Sequence, residues 1–254
     1  MMITITTNFK IFALSDLHLS FAKPKPMNKF GPQWEGHPEI IEKRWNKIVG
    51  KNDIVLIAGD ISWASKLDTA LIDLFFIDKL NGIKIFVKGN HDFWFKGIQN
   101  IRKVLKDTSL YPLRNDCIVI NNIGIVGTKG YNLDRITGLG IRNLDNFNSS
   151  HFLKEKNRLD LSIQDAKKKN VEKIIAMLHY PPFKTIQGGS TPLTKTLSKA
   201  DVKDCVYGHI HTEIHQSKCF QGKLDRVNYH MTSCDYLKFQ PKLIVDNLKG
   251  FGVI

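Results

Sequence analysis

Short apolar runs alternate with longer amphipathic ones along the chain, and that alternation predicts an α/β fold. Residues 10–14 read as a first strand, 53–58 as a buried second strand, and 83–88 as a third. Between and after them, three sets of apolar residues recur at helical spacing. These are Ile41, Trp45, Ile48 and Val49, then Leu67, Leu71, Leu74 and Phe75, then Ile98, Ile101, Val104 and Leu105. Two short β-like runs follow at 117–121 and 123–127, and Asn121-Asn122 between them suits a tight hairpin turn. A helix is expected over 149–169, strands over 173–178 and 204–207, and further β-structure from 228 to 245. No internal repeat, low-complexity segment or linker-like shift interrupts the pattern, so residues 1–254 are read as one domain.

Two stretches break the alternation. Residues 19–38 form a long insertion stiffened by Pro24, Pro26, Pro32 and Pro38. Its aromatic residues Phe30 and Trp34 either offer a flat apolar wall to an organic group of a substrate or pack the loop onto the core. Residues 128–148 form a Gly-rich loop with the basic residues Lys129, Arg135 and Arg142. Long loops of this kind either carry function or merely decorate the fold.

Composition narrows the classes. A chain of 254 residues can bury a full core, and 42% hydrophobic with 24% charged residues is ordinary for a globular protein. The longest clean apolar run, 54–58, is too short to cross a bilayer, so no membrane partner is expected. The first residues lack a basic start followed by a long apolar stretch, which argues against a secretory signal. Cys117, Cys205, Cys219 and Cys234 form no CxxC pair. Reduced thiols and a cytoplasmic location are the simpler expectation than a zinc finger or a disulfide scaffold. The net charge of +13 draws anions. The lysines are nevertheless scattered, with Lys167-Lys168-Lys169 the densest run, so a soluble surface is favoured over a nucleic-acid track.

The chemistry lies in five polar clusters, each just after an expected strand. They are Asp16-Leu17-His18, Gly59-Asp60, Gly89-Asn90-His91-Asp92, His179, and Gly208-His209-Ile210-His211. Ligands of open α/β sheets bind at the carboxyl ends of the strands, so the five clusters are candidates for one crevice. Carboxylates, imidazoles and an amide oxygen suit Mn, Fe, Zn, Ni or Co better than calcium. The donors are too many for one tetrahedral ion. Two ions sharing one carboxylate would use them, and ions about 3.5–4 Å apart clamp both oxygens of an in-line displacement. Singly, each cluster has a structural reading. A Gly-Asp is often a turn, Asn90 to Asp92 can begin a helix, and a lone His179 is usually a core histidine. His209 and His211, two apart on a strand, would share a face. The set outweighs its members.

In this order, DxH, GD, GNHD, H and GHxH resemble the calcineurin-like metallophosphoesterase superfamily. The resemblance implies a central β-sandwich flanked by helices, in α/β/β/α layers, with a dinuclear metal site at the strand C-terminal ends. It implies that Asp16, His18 and His211 hold one metal, that Asn90, His179 and His209 hold the other, and that Asp60 bridges them. Manganese is the first expectation among the divalent transition ions. His91 would not bind metal but would assist the leaving oxygen, and Asp92 would orient its neighbours. The implied reaction is attack of a metal-bridging hydroxide on a small phosphodiester or phosphomonoester. Metal-dependent nuclease action on nucleic acid and a non-catalytic scaffold are the alternatives. Protein serine/threonine phosphatases of the superfamily extend the second motif with a further Asp and an Arg. Here it continues Ile61-Ser62-Trp63-Ala64, which points instead to the compact prokaryotic phosphohydrolases. The sequence leaves the oligomeric state and the physiological substrate open.

Overall fold

A computed structural model describes residues 1–132 and 147–246. In chain order its strands are β1 (Met2–Ile3), β2 (Lys10–Ala13), β3 (Ile54–Ile57), β4 (Ile83–Phe86), β5 (Leu110–Pro112) and β6 (Ile118–Ile120). They continue as β7 (Ile123–Thr128), β8 (Lys173–Leu178), β9 (Val202–Tyr207), β10 (Gly222–Leu224), β11 (Val227–Met231) and β12 (Lys242–Asp246). The helices are α1 (His37–Ile48), α2 (Leu67–Lys79), α3 (Ile98–Val104), α4 (Ser150–Lys168), α5 (Pro192–Lys199) and the short α6 (Glu213–Gln216). The insertion after β2 contains two short 3₁₀ turns, Met27–Phe30 and Pro32–Trp34. The chain divides into two compact units, one of Ile5–Pro112 with Thr232–Ile254, the other of Met1–Thr4 with Leu113–Met231.

The unit containing Ile5–Pro112 is built on a five-stranded sheet in the order β12-β2-β3-β4-β5. Strands β2 to β5 are parallel and β12 closes one edge antiparallel to β2. All four residues of β3, Ile-Val-Leu-Ile, are buried. Continuous burial is what a central parallel strand covered on both faces requires. Ile41 and Trp45 of α1, Leu74 and Ile77 of α2, and Ile101 of α3 pack into the same core as Val55, Ile57 and Phe86. Lys84 in β4 is fully buried. Its ammonium donates to the carbonyls of Asp78, Leu80 and Gly82 and to the Ser109 hydroxyl, at 2.6–3.1 Å. Burial pulls this lysine down to about 8. The shell of oxygens fastens the α2–β4 turn to the start of β5 and so fixes where β4 begins.

The other unit holds a seven-stranded sheet in the order β1-β6-β7-β8-β9-β11-β10. Strands β7, β8, β9 and β11 run parallel, and the β6–β7 hairpin is antiparallel with Asn121 in the left-handed region at φ 53. Helix α4 is amphipathic and buries Phe152, Leu159, Ile163 and Ala166. It begins where Ser149 accepts the Phe152 N–H. Such a cap satisfies an N–H left open by the first turn. Helix α5 opens on a capping box between Thr191 and Thr194 with Pro192 in its first turn, and it buries Leu193 and Leu197. The architecture is therefore α/β, with mixed sheets flanked by helices. Among the described residues no helix is long and apolar enough to cross a membrane.

Candidate metal centre

In the unit containing Ile5–Pro112, three parallel strands end side by side, and the segments that follow them carry six of the expected site residues. The segments after β2 and β3 continue the parallel pairing beyond the strands. Asp16 donates its N–H to Gly59 O at 3.0 Å, His18 to Asp60 O at 3.0 Å, and Leu19 to Ile61 O at 2.9 Å. Asp16, His18 and Asp60 are buried, at 0%, 3% and 1% exposure. All three adopt left-handed backbone, with φ of 59°, 47° and 52°. Non-glycine residues hold such angles infrequently, and clusters of them recur at active and ligand-binding sites. The tail imposes part of it here. Cys234 donates its N–H to Ser15 O and its S–H to Asp16 O, both at 2.9 Å.

Asp60 lies at the middle of the group. Its Oδ1 accepts the His91 N–H at 2.8 Å. Its Oδ2 is 3.8 Å from His18 Nε2 and 4.0 Å from His91 Nε2. The glycine of the third motif is required by this packing. A Cβ on Gly89 would stand 2.1 Å from both the N and the Oδ1 of Asp60, which no side chain can do. Asn90 follows directly, half-buried. His91 keeps 36% of its side chain exposed and packs against Trp63 at 4.2 Å between ring centroids.

Asp92 is fully buried and works as a clamp. One carboxylate oxygen accepts the N–H groups of Ile61 and Ser62 and the Trp94 indole N–H, at 2.9–3.1 Å. The other accepts the Gly89 N–H at 2.8 Å. Burial, then the Asp60 carboxylate, push Asp92 up to about 7, against the pull of the backbone N–H groups. The clamp joins the segment that carries Asp60 to the one that carries Asn90 and His91. Asp92→Asn turns one side of the carboxylate into a donor facing a donor. The expected cost is about 2–4 kcal/mol of stability. Metal affinity should fall by roughly 10–100-fold, as for other residues that hold ligands in place. Chemical denaturation beside metal titration checks both. An Asn variant as stable and as tight as the parent would remove the clamp from this account.

Three residues that the motif reading missed shape this region. Trp63 stacks on His18 at 4.9 Å and 25°, while Trp34 meets the same imidazole edge-on at 5.9 Å. His37 contacts the carbonyls of Leu17 and Trp34 through its two ring nitrogens, both at 3.1 Å, and so ties the insertion to the Asp16–His18 segment. Burial lowers the pKa of His37. Cys234 is the third. Of the two insertion aromatics, Trp34 is 2% exposed and belongs to the core, whereas Phe30 is 59% exposed. Trp34 thus takes the packing alternative, and the partly exposed ring beside the histidines is Trp63.

In the other unit, His179 follows β8 directly and is fully buried. Its carbonyl accepts the Gly208 N–H at 3.1 Å, which links the ends of β8 and β9. His209 packs against His179 at 5.1 Å and against Tyr180 at 4.5 Å. His209 and His211 lie beyond the last residue of β9, and His209 has φ 77. Strand alternation, expected to put both on one face, therefore does not apply to them. Gln216 of α6 donates to Ile210 O between them at 3.0 Å. Lys129 lies 5.7 Å from the Tyr180 ring. Arg135 and Arg142, the other basic residues of the 128–148 loop, lie outside the described residues.

Both units thus carry carboxylate or imidazole donors at strand C-terminal ends, a donor class that fits divalent transition ions. The sequence model of the calcineurin-like phosphoesterase family matches residues 9–213. Two curated relatives match shorter segments. The Gene 66 protein of Mycobacterium phage L5 is 35% identical over 78 residues, 31% of this chain and 37% of the relative. The uncharacterized protein MJ1445 of Methanocaldococcus jannaschii is 32% identical over 84 residues, 33% of this chain and 47% of the relative. The matched segments therefore span less than half the length of either relative. Among solved structures, the phosphopantetheinyl hydrolase PptH of Mycobacterium tuberculosis shares the fold, with a TM-score of 0.55 at 12% identity over 98% of this chain and 100% of that one. Family match and strand-end motifs agree, and the chain belongs to the calcineurin-like phosphoesterase family.

Proposed function

We propose that this protein hydrolyses a small phosphodiester or phosphomonoester with the help of two divalent transition-metal ions, manganese first among them. The observation that carries the reading is the group Asp16, His18, Asp60 and His91, in which three buried residues are held in left-handed backbone at adjacent strand ends. Three such residues at adjacent strand ends, all buried and all carrying donor side chains, suit a binding site better than a non-catalytic scaffold. Asp16, His18 and His211 are proposed to hold one ion, Asn90, His179 and His209 the other, with Asp60 shared.

When bound, the ions would supply charge neutralisation at the phosphoryl oxygens and make water a nucleophile at neutral pH. The protein's own part is positional. Asp92 holds the Asp60 and His91 segments together, and Gly89 lets them approach. His91, half-exposed and outside the proposed ligand set, would give a proton to the leaving oxygen. No serine or cysteine is needed as a nucleophile.

The test is a hydrolysis screen with the manganese-loaded protein, reading released phosphate for the monoesters and the freed alcohol or phosphomonoester product for the diesters. Nucleotides, simple phosphodiesters, phosphoproteins, nucleic acids and phosphopantetheinyl esters make the panel, the last because of the fold neighbour's named activity. Turnover of a small ester should change only mildly with salt. Nucleic-acid cleavage resting on about 6–10 phosphate contacts would instead weaken roughly 10³–10⁵-fold between 50 and 200 mM salt. Efficient polynucleotide cleavage with that steep dependence would replace the small-ester reading by the nuclease one.

A further inference from the structure

Trp63 is half-buried and sits 4.2 Å from the His91 ring. Its indole N–H is directed at Met27 Sδ at 3.2 Å, which locks the ring to the insertion. The Lys25 ammonium lies 3.1 Å from the centroid of the same ring. Lys25 is exposed, and no carboxylate of the described residues pairs with it. Its backbone is pinned from both sides, since Ser20 Oγ accepts the Lys25 N–H at 3.1 Å and donates to Lys25 O at 3.4 Å. Phe93, 54% exposed, flanks His91 at 6.4 Å. A cation is thus parked on an aromatic face within one ring of the proposed proton donor. Such a cation is held weakly, because a cation–ring contact at an exposed site is a small attraction. An anion would draw it away and uncover the indole.

We propose that Lys25 and Trp63 form a leaving-group subsite, which selects phosphoesters whose leaving group is a flat ring carrying its own anion. The inference rests on the proposed phosphoester hydrolysis and on His91 facing the leaving oxygen. In that reaction water adds to phosphorus, the bond from phosphorus to the leaving oxygen breaks, and that oxygen takes a proton. Whatever is attached to the oxygen lies next to His91 and so within reach of Trp63. The ring of the leaving group would stack on the indole while Lys25 pairs with its anion. The sequence pattern gives no hint of this, since Lys25 and Trp63 are 38 positions apart and belong to no motif.

The test uses the manganese-loaded protein and three leaving groups: phenol, 4-carboxyphenol and 4-phosphonophenol, each as the phosphomonoester and the methyl phosphodiester. The anionic leaving groups should be favoured over phenol by about tenfold or more in kcat/KM, the range of a charge-assisted contact at a partly open site. Lys25→Met should bring that ratio towards one, whereas Lys106→Met, an equal charge change on an exposed residue of the same unit, should leave it in place. Trp63→Leu should raise KM for all aromatic leaving groups, with metal content measured alongside because Trp63 also packs on His18. The preference between carboxylate and phosphonate tells which anion the natural leaving group bears. Hydrolysis of all three esters at a ratio unchanged by Lys25→Met would overturn the subsite and leave the hydrolase reading standing. No hydrolysis of any ester by the loaded protein would count against that reading, and the subsite would fall with it.

Discussion

Replacing Asp60 with Asn is expected to lower kcat by on the order of 10³-fold or more, because in the proposed arrangement its carboxylate would be shared by both ions and each would supply several kcal/mol of charge stabilisation. The metal-free protein should not suffer in parallel. Asp60 is 1% exposed and raises the pKa of the buried Asp92 through its charge. Without metal it is therefore a buried carboxylate facing another, a costly arrangement. An Asn amide oxygen can still accept the His91 N–H that Asp60 Oδ1 accepts now. The metal-free Asn variant should then melt no lower than the metal-free parent. What should vanish is the rise in Tm on adding manganese, which reflects a stabilisation of roughly 2.7 kcal/mol at a hundredfold excess over Kd. Elemental analysis should show the loss of both ions. A variant that keeps two ions and the metal-induced rise would end the bridging role, and one that fails to fold without metal would show Asp60 to be structural.

The parts of the fold that were readable in the sequence are those decided by local pattern. The run at 173–178 is a strand to the residue, and Ile54–Ile57 sits inside the expected 53–58, because unbroken β-branched and apolar runs have few other solutions. Helix α4 matches within a residue at each end, since both its apolar stripe and its Ser149 cap are written locally. Two-residue β1 and three-residue β5, which ends on Pro112, were not legible, for neither has length enough for a periodicity. Helix α5 is hard to read because it is only eight residues long, so its apolar face rests on the single pair Leu193 and Leu197.

At the site the same division holds. The donors stand out as residue types after strands, but their backbone does not. Nothing in Asp16, His18, Asp60 or His209 announces positive φ, because those angles are imposed by partners such as Cys234, more than two hundred positions from Asp16. The aromatic neighbours are undecided by pattern for a similar reason. The sequence leaves Trp34 either facing a substrate or packing on the core. Contacts with His37 and Phe239, distant in sequence or set by the loop's fold, give the packing alternative, while half-buried Trp63 stands beside His91. Gly89 is the exception. Its motif position was visible in the sequence, and the structure supplies the reason, a backbone pressed against Asp60.

His91→Ala is expected to keep the metals and slow turnover by roughly 10²–10⁴-fold, the span of general acid–base assistance. The geometry argues for the separation. His91 is tied to Asp60 by its backbone N–H, which alanine retains, while its ring stays 36% exposed beside Trp63. Removing the ring therefore opens a gap in the aromatic wall without unfastening the segment that carries Asn90. If the ring delivers a proton to the leaving oxygen, its loss should matter least where that oxygen departs readily as an anion. The penalty should shrink towards the low end for nitrophenyl esters and grow for alkyl esters, whose alkoxide must be protonated as it leaves. A plot of log kcat against leaving-group basicity should thus be steeper for the variant than for the parent. Equal slopes would mean that His91 stabilises the phosphoryl group instead of the leaving oxygen. Loss of metal in the variant would place His91 among the ligands and require one of the seven proposed donors to be released from that role.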